Sequence, residues 1–453
     1  MASEMPENIL LQILAALDLP DLIRAGSVCS AWHEACTSLC NLGRWKQPQT
    51  PCLVYTAKSR GDSAAGLYSL SEKKAYTLAL PDPPVRSMSF IGSAHGWIIA
   101  ADDRSELHLI NPITGDRIAL PSITTTEFVR PVYDNNGSVK EYLSWPAFPM
   151  RGRTTPNVYG LSELRDIFFD KAFLSSDPST GNYIVAAIHN PCYRLSFARA
   201  GDDCWTLLPP HDDFGDCIFK DDLMYALTQL GEIHVFDFSG PAVKQKVVLE
   251  KMRSYNADNM YIVQIPCGDL LQIWGDYDFI PLAEDVSQPR PLEEDDDFSE
   301  PDLPYAYKSH KHYATMFKLF KVDLTANKLV EISSLGENVL FLGQNQSVCL
   351  CAEEHPQLKA NHVYFTDNDE FCGRKNIVRD IGVLNLSDNS REYLASPQIW
   401  SNWPSPMWIT PNPRKMSSAR SGSTYSKSQG TARPQAPPTS CWANVFWHEW
   451  SVA

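Results

Sequence analysis

The chain has 453 residues and a formal net charge of -15 at pH 7. This length exceeds what one small core accommodates, so two or more folding units are expected. The negative charge argues against a nucleic-acid partner and against docking on an anionic membrane surface, because both favour a basic patch. No apolar run reaches the ~18 residues of a membrane-spanning helix, so we expect no membrane contact.

The 12 cysteines are scattered and include no CxxC pair. Glu4 and Glu7 stand where a signal peptide would carry basic residues. Reduced, mostly buried thiols are therefore expected, with the chain in the cytoplasm, the nucleus or both.

The opening residues predict three short helices. Apolar side chains recur at helical spacing after Pro6, while Asp18 and Ser27 suit the N-cap positions of the second and third helices. Three pieces of this size fall below the ~40 residues at which a lone domain needs outside help. Their apolar surface must therefore meet either the rest of the chain or another protein.

The segment MPENILLQILAALDLPDLIRAGSVCSAWHEA resembles an F-box. The resemblance implies that these helices lie on a Skp-type adaptor, which bridges to a cullin-RING ubiquitin ligase. Met5 and His33 depart from the residues usual at their positions. The alternative is an N-terminal cap that packs on the chain's own core. The residues expected to bind the adaptor are Pro6, Ile9, Leu10, Ile13, Leu14, Leu17, Leu19, Leu22, Val28, Cys29 and Trp32.

The long middle of the chain predicts a repeated β structure. Runs rich in Val, Ile, Tyr and Phe alternate with Gly, Asn, Asp and Ser clusters, which is typical of short strands and turns. Some repeats are about 40 residues apart, the length of a four-stranded propeller blade, and longer intervals leave room for insertions at 132–156 and 283–304. A mainly β fold is predicted, a β-propeller of about six blades, with a β-sandwich as the competing fold. The small polar residues that mark the six repeats are Ser69, Asn111, Ser196, Asp237, Asp323 and Asn385.

The arrangement as a whole resembles a large plant family. Its members carry an N-terminal F-box followed by a kelch-like, propeller-like domain of unknown function, and residues 319–369 and 399–413 carry the resemblance. It implies an F-box over residues 1–45, a propeller over 46–410 and a tail over 411–453. It also implies a non-catalytic protein without a cofactor.

The sequence contains no HExxH, phosphate-binding loop, G-x-S-x-G or dinucleotide-binding motif. His310 and His312 could form a metal pair, although a solvated surface is the more ordinary interpretation, and no metal site is predicted. Cys349 and Cys351 share one face of a strand and are expected to pack in the core. The acidic run 293–297 is expected to be a solvated loop, with attraction of a basic target as the alternative.

The tail is rich in Ser, Pro and Gly, and disorder is predicted. Beyond this stretch, four aromatic residues fall at helix-like spacing: Trp442, Phe446, Trp447 and Trp450. Docking on a partner, docking on the propeller and no fixed role are all open for them.

Three functions are compatible with these patterns. The first is a substrate receptor of a Skp–cullin–F-box ubiquitin ligase, in which the helices bind the adaptor and the propeller binds an unknown target protein. The second is an F-box scaffold that works outside ubiquitylation. The third is a propeller enzyme or sugar-binding protein with a helical cap, which would require a clustered His, Asp or Tyr site.

Overall fold

The structure is a computed structural model that describes residues 5–80, 82–146, 155–209, 213–252, 259–281, 310–366, 379–394 and 398–416. At 277–281 and 310–313 it describes the backbone alone. The predictions for the acidic run 293–297, for residues 417–453 of the predicted tail 411–453 and for its four aromatic residues lie outside the described residues, as do the side chains of His310 and His312. Residues 411–416 of that tail are described and form hydrogen bonds with Asn41 and Asn111, so the predicted disorder is wrong for them.

The N-terminal segment forms three helices: α1 (Glu7–Ala16), α2 (Leu19–Gly26) and α3 (Ser30–Asn41). The predicted cap of α2 is confirmed, because the Asp18 side chain accepts the backbone N–H of Asp21 at 3.0 Å. The predicted cap of α3 is wrong. Ser27 follows α2 and its hydroxyl donates to the carbonyl of Arg24, while Cys29 stands before α3 without a side-chain cap.

The strands of the described residues form seven sheets, six of which are blades. Blade 1 combines β1 (Cys52–Tyr55), β2 (Ala64–Ser69) and β3 (Lys74–Ala79) with the C-terminal β28 (Met407–Ile409). Blade 2 is β4 (Ser89–Ala94), β5 (Trp97–Ala101), β6 (Leu107–Ile110) and β7 (Arg117–Ala119). Blade 3 is β11 (Phe169–Leu174), β12 (Ile184–His189), β13 (Arg194–Arg199) and β14 (Thr206–Leu207).

Blades 4 to 6 complete the set. Blade 4 is β15 (Phe214–Lys220), β16 (Leu223–Thr228), β17 (Ile233–Asp237) and β18 (Lys244–Leu249). Blade 5 is β19 (Asn259–Gln264), β20 (Leu270–Pro281), β21 (His310–Asp323) and β22 (Lys328–Ile332). Blade 6 has the order β24-β23-β25-β26-β27, with β23 (Asn338–Leu342), β24 (Val348–Cys351), β25 (His362–Phe365), β26 (Gly382–Asn385) and β27 (Arg391–Tyr393).

The blades close into a ring because each packs on the next. Apolar clusters join blades 1 and 2, 3 and 4, 4 and 5, and 5 and 6, and a cluster with Phe341, Tyr364 and Trp408 joins blade 6 to blade 1. Between blades 2 and 3, β4 lies so close to β11 that a Cβ on Gly92 would be 2.1 Å from the carbonyl oxygen of Ala172. Antiparallel pairing of β28 with β1 joins the two ends of the propeller. The predicted propeller of about six blades is confirmed.

The repeated small polar residue closes the turn before the outermost strand of a blade. Its side chain accepts a backbone N–H two or three residues further on, which is an Asx- or Ser-type turn. Blade 3 is the exception, because Ser196 lies within β13 and pairs with His189, while Asp202 accepts the N–H of Arg199 in the turn. The residues that follow the rule are Ser69, Asn111, Asp237, Asp323 and Asn385.

An insertion separates blades 2 and 3, as the long interval in the repeats predicts. It forms the seventh sheet from β8 (Val129–Tyr133), β9 (Val139–Ser144) and β10 (Asn157–Gly160), followed by α4 (Leu161–Phe168). The second predicted insertion, 283–304, falls between β20 and β21 and lies outside the described residues. Among the helices that the structure describes, none has the length and apolar character needed to cross a bilayer.

Candidate functional site

Helices α1–α3 pack on one another around a small core. Leu10, Leu14, Leu22 and Leu39 meet there with the thiols of Cys36 and Cys40, among other buried residues. Burial raises the pKa of Cys40 to about 11, so its thiol stays protonated at neutral pH. The segment therefore buries many of its leucines against itself. Its short length had predicted that these leucines need a surface outside the segment.

The loop after α3 completes this helical unit. The indole N–H of Trp45 donates to the carbonyl of Leu17 at 3.0 Å, and the amide of Gln47 donates to the carbonyl of Ala15 at 2.8 Å. Both acceptors lie at the C-terminal end of α1, where helix carbonyls have no intrahelical donor. These two bonds fix the chain leaving α3 against the end of α1.

The residues predicted to bind an adaptor fall into three groups. Leu10, Leu14, Leu19 and Leu22 are buried, with at most 5% of their surface exposed. The half-buried residues are Leu17 and Trp32. The exposed ones are Pro6, Ile9, Ile13, Val28 and Cys29. In the free chain the buried leucines hold the helices together, so a partner can contact the exposed members and the accessible parts of Leu17 and Trp32 without rearrangement.

The exposed large apolar residues that precede α3 form what we term the exposed apolar set: Met5, Ile9, Ile13, Ile23 and Val28. Ile9 and Ile13 are 44% and 41% exposed and lie four residues apart, so they share one face of α1. Ile23, which sequence reasoning did not select, is 50% exposed on α2. The sequence does indicate this position. Ile23 is an apolar residue next to Leu22 on a helix, so the two side chains face different sides of it. Exposed apolar side chains that form a contiguous patch are common at protein-binding surfaces.

The axis of the propeller is occupied by its own chain. Residues 343–347, which we term the axial loop, connect β23 to β24 of blade 6. The backbone N–H of Gln346 donates to the carbonyl of Ser93 in blade 2 at 3.0 Å, and its side-chain oxygen accepts the N–H of Leu174 in blade 3 at 3.2 Å. The hydroxyl of Ser347 donates to Asp216 in blade 4 at 3.1 Å. The loop thus joins four blades.

A buried ion pair lies beside the axial loop. The Lys171 ammonium of blade 3 is 2.9 Å from the Asp216 carboxylate of blade 4, and it also donates to the carbonyl of Gly343 at 2.9 Å. Asp216 accepts the N–H of Ile262 in blade 5 at 2.9 Å as well. Burial raises the pKa of Asp216, while Lys171 and the other donors oppose that shift. Because these charges already have partners within the chain, the pair is best explained as structural.

A cavity of about 260 Å³ adjoins the axial loop between blades 1, 2 and 6, and Ser93, Phe341, Gln346 and Trp408 are among its lining residues. Within the part of the chain that the structure describes, no three His, Cys, Asp or Glu side chains are grouped as metal ligands would be.

The two cysteines of β24 were predicted to pack in the core. Cys349 packs against the cluster between blades 5 and 6, and burial raises its pKa to about 12. Cys351 is half-buried at the end of the strand. Both cysteines are partly buried, and Cys349 packs at the edge of the core.

Comparison with protein families gives two matches. The KIB1-4 beta-propeller family matches residues 67–385, well over half of the 453-residue chain. The chain belongs to this family. A second match, described as F-box-like, covers residues 2–42 and therefore α1–α3. The chain is thus an F-box protein with a C-terminal propeller.

Curated relatives come from Arabidopsis thaliana. F-box only protein 7 is 27% identical over 257 residues, which cover 54% of this chain and 60% of that protein. F-box protein At5g25290 is 23% identical over 405 residues, which cover 85% and 91%. F-box/kelch-repeat protein KIB1 is 27% identical over 236 residues, which cover 50% of each chain. This chain therefore aligns with 60% of the length of F-box only protein 7 and with half of the length of KIB1.

Proposed function

We propose that this chain is the substrate-recognition subunit of a Skp–cullin–F-box ubiquitin ligase. In this proposal the exposed apolar set of α1 and α2 binds a Skp-type adaptor, and the propeller binds a target protein. The observation that carries the proposal is the exposed apolar surface on helices whose own core is already filled. Such a surface supports binding of a partner helix or groove.

The chain would perform no bond chemistry in this role. Other subunits would transfer ubiquitin, while this chain would raise the local concentration of the target at the ligase by binding both. The axial loop crosses the middle of the ring, and we place the target on the loops around the rim. Loops on a rigid scaffold are a common place for recognition residues.

Adaptor binding tests the proposal. Titration calorimetry should compare the wild-type chain with an Ile9→Asp, Ile13→Asp double variant, using a purified Skp-type adaptor. A carboxylate buried without a partner costs about 3 kcal/mol or more, so the affinity should fall roughly 100-fold or more. The variant should fold normally, because both positions face solvent in the free chain.

The matched control is Val247→Asp, since Val247 is 38% exposed on β18 in blade 4. This control should bind the adaptor like the wild type. Equal affinities for all three proteins would exclude the α1 face as the adaptor-binding surface. Absence of binding by the wild type would remove the ligase proposal itself.

A further inference from the structure

Two segments of the chain connect α1–α3 to the blades. One is the covalent linker between α3 and β1, which Thr50 anchors near its end by pairing with His355 at 3.3 Å. The other is the segment that follows β28, residues 410–415, which we term the strap. The strap leaves the innermost strand of blade 1 and reaches the end of α3.

The helical end of the strap is held at Asn41, the last residue of α3. The guanidinium of Arg414 donates to the carbonyl of Asn41 at 3.2 Å. The backbone N–H of Lys415 donates to the Asn41 side-chain oxygen at 3.0 Å. These bonds satisfy polar groups at the C-terminal end of a helix, and the positive charge is favourable there.

The other end of the strap is held by the blades. The side-chain amide of Asn412 donates to the carbonyl of His95 at 3.0 Å, and the backbone carbonyl of Asn412 accepts the side-chain amide of Asn111 at 2.9 Å; both partners belong to blade 2. The Arg414 guanidinium lies 3.6 Å from the carboxylate of Asp177, which follows β11 of blade 3. One arginine therefore contacts α3 and a blade at the same time.

Two glycines lie close to the strap. Gly96, between β4 and β5, has φ +82°, and a Cβ there would lie 2.2 Å from the Cβ of Asn412. Gly43, after α3, has φ +62°, and a Cβ there would lie 3.3 Å from the Arg414 guanidinium. Both backbone conformations favour glycine, and Gly96 leaves no space for a side chain.

The covalent linker is one attachment of the helices to the blades, and the strap adds a second attachment at the end of α3, which restricts rotation about the linker. We propose that the strap fixes the orientation of α1–α3 on the propeller, with Asn412 and Arg414 as its positioning residues. The consequence for function rests on the proposed ligase role, because a fixed orientation would hold the adaptor at a set place relative to a target on the rim. The orientation itself can be measured without any partner.

The test is a distance distribution from pulsed electron spin resonance on the full chain. Nitroxide labels attached through a noncanonical amino acid replace Glu34 on α3 and Lys244 on β18, both exposed. The wild type should give one narrow distribution. An Asn412→Ala, Arg414→Ala variant should give a clearly broader one with an unchanged unfolding midpoint of the propeller.

The matched control is Arg24→Ala. Arg24 on α2 also reaches a blade, through the hydroxyl of Tyr76 on β3, but its side chain is 56% exposed and contributes little. This control should keep the narrow distribution. A second strap variant, Asn41→Ala, removes the side-chain oxygen that accepts the N–H of Lys415 and should also broaden the distance distribution. Because Asn41 is exposed, this variant tests the inference even if the double variant fails to fold.

A narrow distribution in both strap variants would overturn the inference, and so would equal broadening by Arg24→Ala. Adaptor affinity should stay within about twofold of wild type in the strap variants, because the exposed apolar set is untouched. If the wild type binds no adaptor, the ligase proposal fails while the distances still decide whether the strap orients the helices.

Discussion

The ion pair at the propeller axis connects blades 3 and 4 and accepts a bond from the axial loop, so its removal should weaken the whole ring. Asp216→Asn keeps the side-chain shape and removes the negative charge. Lys171, whose side chain is 4% exposed, then keeps its positive charge without a carboxylate counter-ion, while the carbonyl of Gly343 still accepts its ammonium. Leaving one member of a buried pair without its partner costs about 3–5 kcal/mol, and we expect a loss of that size.

The assay is urea unfolding followed by tryptophan fluorescence, with a second probe to check that the transition is two-state. A Lys171→Met, Asp216→Asn double variant removes both charges and should regain about 2 kcal/mol or more relative to Asp216→Asn alone. Asp269→Asn is the control, because its pair with Lys321 is 40–47% exposed, and it should cost less than about 1 kcal/mol. A loss at Asp216 as small as the control would refute the reasoning, as would zero coupling in the cycle.

Three further outcomes follow from the packing. Burial lowers the pKa of His189 to about 4 from the ordinary histidine value of 6.5, so the unfolded chain binds more protons between those pH values. Stability should therefore fall by ~3 kcal/mol as the pH drops from 6.5 to 4, and unfolding of a His189→Gln variant should show a weaker pH dependence. Gly92→Ala should lower the unfolding midpoint by several degrees in calorimetry, because its Cβ would meet the Ala172 carbonyl. Leu14→Ala, at a fully buried position, should cost about 2–5 kcal/mol in the helical unit and reduce helicity by circular dichroism, whereas Ile13→Ala should cost little.

The fold was largely predictable because its signals are local. Helices α1–α3 follow from apolar spacing, and the six repeats follow from a polar residue that closes the same turn in most blades. Ser196 was aligned wrongly because serine also suits a strand interior, where it pairs with His189. In blade 3 the turn is formed instead by Asp202, which lies three residues beyond the end of β13. A polar residue at that position has no distinct sequence pattern.

The division of the helical residues could not be predicted from spacing alone. Leu10 and Leu14 lie four residues apart, and so do Ile9 and Ile13, yet the first pair is buried and the second exposed. Each stripe is apolar, and the two are rotated by about 100° on the helix. Which stripe faces the core depends on where α2 and α3 pack. The pairing of Lys171 with Asp216 was equally hidden, because it depends on how blades 3 and 4 meet at the axis.

The measurement that bears most directly on the ligase role is assembly with the adaptor and a cullin, followed by mass photometry. The wild-type chain should join the adaptor and the cullin in one complex, and the Val247→Asp control should do the same. The Ile9→Asp, Ile13→Asp variant should remain free while the adaptor and cullin still associate. A wild-type chain that stays free under conditions where adaptor and cullin associate would contradict the proposed role as a substrate receptor.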